Sequence, residues 1–85
     1  MSNKFEVERL FKTINDALLA ACKTTELSAT VSLSSKMGNP KEWDSLSFVA
    51  VYLAVTEEFN VDADDDDAIH FMSVEKIIQF LNDVL

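Results

Sequence analysis

Apolar side chains recur at spacings of three and four along three stretches of the chain, and each stretch predicts a helix. In the first, Val7, Leu10, Phe11, Ile14, Ala17, Leu18 and Ala21 form one stripe. Asn3, followed three residues later by Glu6, resembles a capping box at its start. The period disappears over residues 23–44, where Thr, Ser, Gly38 and Pro40 gather, so this segment reads as a long loop. Leu27, Val31, Leu33 and Met37 are the residues expected to pin that loop to a core, since a long free loop is unusual in a small domain. A second helix is expected from Asp44 to about Phe59, a stretch without Gly or Pro. The aspartate-rich turn 62–67 leads into a short apolar piece, Ala68–Phe71. A last helix should start at Ser73, an N-cap residue type, with Met72 and Ile77 placed as a hydrophobic staple. Its stripe is Val74, Ile77, Ile78, Leu81, Val84 and Leu85. The pattern predicts an all-α four-helix bundle, three longer helices and one short one, with a long loop between the first two.

The second helix has more apolar surface than one core needs. Phe48, Val51, Tyr52, Val55 and Phe59 form a stripe that should face inward, while Leu46, Val49, Ala50 and Leu53 form another on roughly the opposite side. Either the long loop covers this second stripe, or it is a docking surface rimmed by Asp44, Glu57, Glu58 and the aspartate run.

Charge favours the same half of the chain. Residues 1–41 carry six basic and four acidic side chains, whereas residues 42–85 carry Lys76 against eleven acids. The net charge of −8 argues against nucleic acid as a ligand and would steer a basic partner toward the second half. At 85 residues with 48% hydrophobic content, one domain over 1–85 is expected. Its single cysteine, Cys22, allows no internal disulfide and is expected to be a buried, inert thiol on the first helix. No stretch is long and apolar enough to span a membrane, and the N-terminus lacks the order of a signal peptide. A cytoplasmic monomer that does not insert into membranes is the expectation.

Trp43-Asp44-Ser45-Leu46, with Glu57-Glu58-Phe59 downstream, resembles the acyl and peptidyl carrier protein family. The likeness runs without a gap from Asp44 to Leu81, through the acidic stretch and Ser73-Val74. The first helix and the loop agree in pattern only. The resemblance implies that Ser45 receives a covalent 4′-phosphopantetheine arm from a phosphopantetheinyl transferase, which supplies the base, magnesium and coenzyme A. Asp44 would cap the helix, Leu46 would complete the motif, and the helix N-terminus would favour the phosphodiester anion. The arm's thiol would hold acyl or aminoacyl intermediates as thioesters and present them to loading and processing enzymes with basic docking surfaces. Leu46, Val49, Leu53, Glu57 and Glu58 are the expected docking residues. Phe48, Tyr52, Val55, Phe59, Ala68, Phe71 and Val74 are expected around any space that shelters an acyl chain.

Several positions depart from the fatty-acid members of that family. Ser47 and Ala50 stand where those members are usually acidic, Asp64 replaces a common proline, and Ala63 replaces a bulky aliphatic residue. Trp43 stands where they have a small residue and where specialised-pathway carriers often have an aromatic. The service implied is therefore fatty-acid-like, polyketide or other specialised biosynthesis, tilted toward a dedicated pathway. Trp43 also suits a packing role that anchors the loop.

Other chemistry fits less well. An EF-hand starting at Asp62 would need Gly and Glu where Asp67 and Ser73 stand, so no metal ligand is expected. A Ser-His-Asp hydrolase would require Ser45 and the lone His70 to meet without a glycine-bearing nucleophile elbow, so no catalytic residue is assigned and the chain is not expected to be an enzyme. The remaining alternative is a helical adaptor that uses the apolar face of the second helix without any prosthetic group.

Overall fold

The apolar stripes fold into an all-α architecture in the computed structural model, which describes residues 4–85. Helix α1 spans Val7–Cys22, α2 spans Ser47–Glu58, a 3-10 helix spans Asp65–Met72, and α3 spans Val74–Val84. Among the described residues there is no strand; isolated bridges join Lys36 to Asn39 and to Ser73.

Helix α1 buries Leu10, Ile14, Ala17 and Leu18 and packs along α2. Burying each large aliphatic side chain is worth about 1.5–3 kcal/mol. Ala21, expected at the end of the same stripe, is exposed, because it lies in the last turn of the helix, two residues before the chain turns away at Lys23. Asn3 lies outside the described residues, and Glu6 caps α1 without a side-chain hydrogen bond. The helix closes in a Schellman-type pair, Thr24 N–H to Leu19 O and Lys23 N–H to Ala20 O, with Lys23 in the left-handed region at φ 52°. Helix α2 closes in the same way through Asn60 at φ 51°, with Val61 N–H bonded to Thr56 O and Asn60 N–H to Glu57 O.

The long loop is stitched over the start of α3. Met37 N–H donates to Met72 O at 2.9 Å and Val74 N–H to Ser35 O at 3.0 Å. Val31 is buried, and Leu27 and Met37 pack against the core as expected, but Leu33 is 55% exposed. The stronger anchors are Trp43 and Pro40, both fully buried. Gly38, at φ 92°, occupies a backbone region that side chains disfavour and donates its N–H to Trp43 O at 2.8 Å.

Only the second half of the acidic turn, Asp65, Asp66 and Asp67, is part of the 3-10 helix, and residues 62–64 lead into it. The Asp67 carboxylate accepts from Asp64 N–H at 3.0 Å while Asp67 N–H donates to Asp64 O at 2.9 Å. Asp65, Asp66 and Asp67 make the first turn, where negative charge complements the amide ends. Ser73 caps α3, accepting from Lys76 N–H at 3.3 Å. Met72 remains 43% exposed. Phe80, absent from the expected stripe, is buried against Phe71 and stacks on His70, whereas Val84 and Leu85 are exposed at the chain's end.

Candidate functional site

The turn that enters α2 collects most of the polar geometry. Regular helix begins at Ser47, three residues after the expected Asp44. Helical hydrogen bonding nevertheless reaches back, since Phe48 N–H donates to Asp44 O at 2.8 Å and Leu46 is already helical at φ −84°, ψ −47°. The Asp44 carboxylate accepts from Leu46 N–H at 2.9 Å and from Ser47 N–H at 3.0 Å. These two bonds hold its carboxyl below the usual carboxylate range, Ser47 contributing most. Asp44 is therefore the capping residue of the turn, and Ser45 is the first residue after it.

Ser45 is exposed, and among the described residues no hydrogen bond engages its hydroxyl. A surface hydroxyl on a backbone fixed by hydrogen bonds on either side is accessible to an external reagent. The amides of Leu46 and Ser47 already serve Asp44, so an anion on Ser45 would meet the field of the helix end rather than direct bonds from those two groups.

Ser47 is buried although polar. Its hydroxyl donates to Glu42 O at 2.5 Å and accepts from Asp44 N–H at 2.8 Å. A serine hydroxyl has one hydrogen, and the short bond to Glu42 O claims it over the longer contacts with Asp44. Asp44 and Ser47 thus cap each other reciprocally. Glu42 draws in the loop as well, because its carboxylate accepts from Ser28 N–H at 3.0 Å and Ser28 Oγ at 2.8 Å. The Ser28 amide, then its hydroxyl, hold the Glu42 carboxyl below its usual range. Cys22, expected buried, is exposed at the end of α1, and its Sγ contacts Glu42 O at 3.4 Å. Trp43, between these residues and Asp44, is fully buried, and its indole N–H has no hydrogen-bond partner.

Beside Ser45 runs an uncovered apolar stripe. Leu46 is 84% exposed, Val49 51% and Leu53 53%. The loop therefore does not cover this face. Ala50 is half-buried. Of the two acids at the far end, Glu57 is exposed and Glu58 is held by Arg9.

On the inward side, Val51, Val55 and Phe59 are buried, with Phe48 and Tyr52 packed against the core. Tyr52 meets Phe71 edge-on, with ring centroids 4.9 Å apart, and its hydroxyl donates to Ala63 O at 2.9 Å. Val74 and Phe71 are fully buried, while Ala68 is half-buried on the 3-10 helix. Phe59 lies at the other end of α2, edge-on to Phe5. Among the described residues no group of three or more His, Cys, Asp or Glu side chains is placed to hold a metal ion, the aspartate run included.

The roles of Glu42 and Ser28 escaped the sequence reading. Their contact crosses the loop and carries no periodic signal. Ser47 was visible only as a departure from a family pattern, although Asp-x-x-Ser at a helix start is a weak form of a capping box. No protein-family model matches this chain, and neither does any curated protein.

Proposed function

We propose that the protein is an acyl-carrier-type protein whose Ser45 bears a 4′-phosphopantetheine arm. The observation that carries this reading is the placement of Ser45: an exposed hydroxyl in Asp44-Ser45-Leu46, on a turn capped by Asp44 and flanked by the bare Leu46–Val49–Leu53 stripe. A covalently attached arm needs a reachable nucleophile on a fixed backbone, with surface beside it for the enzymes that load and unload it. The helices are read as a four-helix bundle whose second helix presents that surface.

In this reading Ser45 Oγ attacks the pyrophosphate of coenzyme A on a transferase, which supplies the base and magnesium, and 3′,5′-adenosine bisphosphate leaves. When attached, the group supplies a thiol on which acyl or aminoacyl chains travel as thioesters. Asp44 fixes the turn, and Leu46, Val49, Leu53 and Glu57 meet basic partner enzymes. Phe48, Tyr52, Val55, Ala68, Phe71 and Val74 would surround a chain sheltered by displacement of packed side chains, with Phe59 apart from them at the far end of α2. The protein itself performs no catalysis. Intact mass after incubation with coenzyme A, magnesium and a broad-specificity phosphopantetheinyl transferase tests the reading, with Ser45→Ala as control.

The exposed stripe also suits an adaptor without a prosthetic group, because large apolar side chains side by side on one helix face favour a protein partner. An adaptor tolerates Ser45→Ala and loses partner binding on Leu53→Glu. A carrier loses all loading on Ser45→Ala.

A further inference from the structure

Three separate parts of the chain converge on Glu42, three residues before Ser45. The Ser28 amide and hydroxyl bond its carboxylate, while Ser47 Oγ and Cys22 Sγ approach its carbonyl. Ser28 Oγ is also the acceptor for Lys41 N–H at 3.3 Å. From Glu42 the chain of bonds crosses to Ser47, on the other side of Ser45, and returns from its hydroxyl and amide to the Asp44 amide and carboxylate. The backbone on both sides of the serine is thus tied to the end of α1, to the loop and to the first turn of α2, while the serine side chain stays outside. Such an arrangement needs a hydroxyl in a buried place at position 47 and a carboxylate at position 42.

We propose that Ser28, Glu42 and Ser47 form a strap that positions the Ser45 turn for phosphopantetheine transfer. The inference rests on the carrier reading. The three are positioning residues, since none of them touches the reacting oxygen. A transferase must accept the turn in one conformation, so loosening the strap lowers the fraction of protein that is ready to bind. The apparent affinity falls in proportion to that fraction, with the chemical step unchanged.

Two measurements test this. In the unmodified protein, amide hydrogen exchange at Asp44, Leu46 and Ser47 should quicken about tenfold or more in Ser47→Ala and in Ser28→Ala, while core amides of α1 exchange as before. Ser28→Thr, which keeps the hydroxyl at an exposed position, should restore wild-type exchange. In transfer assays with coenzyme A and a broad-specificity transferase, Ser28→Ala and Ser47→Ala should raise KM for the protein about three- to tenfold with kcat nearly constant, and Ser28→Thr should reverse the change. Wild-type exchange rates in both alanine variants, or unchanged KM with normal loading, overturn the strap. Absence of loading on the wild type sinks the carrier reading instead, and the exchange experiment still decides whether the strap exists.

Discussion

Arg9 grips Glu58 at two points: its Nε donates to Glu58 Oε2 at 2.8 Å and its Nη2 to the Glu58 carbonyl at 2.7 Å. The guanidinium also lies 4.7 Å from the ring centroid of Phe59. One residue of α1 thereby supplies a cation and a hydrogen-bond donor to the carbonyl end of α2, where positive charge is favoured. The two side chains remain about half exposed, so solvent screens the pair and Arg9→Ala should cost only about 1 kcal/mol in chemical denaturation. A change too small to resolve would mean that the grip adds nothing to the packing of α1 on α2.

The same relationship separates two acids that look alike in sequence. Glu58 is already neutralised by Arg9, whereas Glu57 is exposed to an approaching partner. Glu57→Lys should therefore raise the transferase KM about two- to fivefold at low salt, with the effect fading as salt screens it. Glu58→Lys should act mainly on stability, by opposing Arg9. Equal effects of both substitutions on KM, at unchanged stability, would contradict the distinction.

Trp43 fills its site completely but leaves its indole N–H without a partner. Trp43→Ala empties a large volume and should cost about 3–5 kcal/mol. Trp43→Phe keeps most of the apolar contact and removes the orphaned donor, so its cost should be smaller, about 1–2 kcal/mol. Urea titrations of the two variants check the order. A Phe variant as unstable as the Ala variant would show that the indole shape, and not buried apolar volume, sets the stability of the loop.

What could be read from the sequence was what repeats along it. The stripes of Leu10, Ile14 and Leu18 and of Val74, Ile77 and Leu81 are periodic, and these residues are buried as expected. Phe80 escaped because it lies at the margin of the α3 stripe, where its burial depends on His70 and Phe71 from another element. Leu33 and Cys22 were misjudged for a related reason: in a loop or at a helix end, apolar character does not say which way the chain turns. In the candidate site, Asp44 and Ser45 stood out through the resemblance carried by a short local motif, and the structure shows Asp44 capping the turn. Ser28 and Glu42, which face each other across the loop, did not stand out.

Lys23 ends α1 in the left-handed region at φ 52°, a conformation that costs a side-chain-bearing residue about 1–2 kcal/mol. The helix pattern ran up to Cys22 without a glycine to mark its end. Lys23→Gly removes the strain at the expense of unfolded-chain entropy and should stabilise the protein by about 0.5–1 kcal/mol. A lower melting temperature for the glycine variant would show that Lys23 makes a compensating contact.

Glu42 and Asp44 both titrate below their ordinary values because Ser28, Ser47 and Leu46 donate to their ionised forms. A carboxylate depressed in the folded state stabilises the protein fully above its unfolded pKa, about 4.3 for Glu and 3.9 for Asp. That contribution is lost as pH falls through the folded value. The amide resonances of Ser28, Leu46 and Ser47 should therefore hold steady on acidification to the ordinary carboxylate range and shift only below it. Midpoints at or above the ordinary values would contradict the hydrogen bonds drawn to these two groups.

The central claim is that Ser45 is an attachment point, and intact-protein mass spectrometry tests it most directly. Wild type and Ser45→Ala would be incubated in parallel with coenzyme A, magnesium and a broad-specificity phosphopantetheinyl transferase. The expected result is a gain of one phosphopantetheine on the wild type and none on the variant, with fragmentation placing the added mass on Ser45. No gain on the wild type with several transferases, or an equal gain on Ser45→Ala, would contradict it.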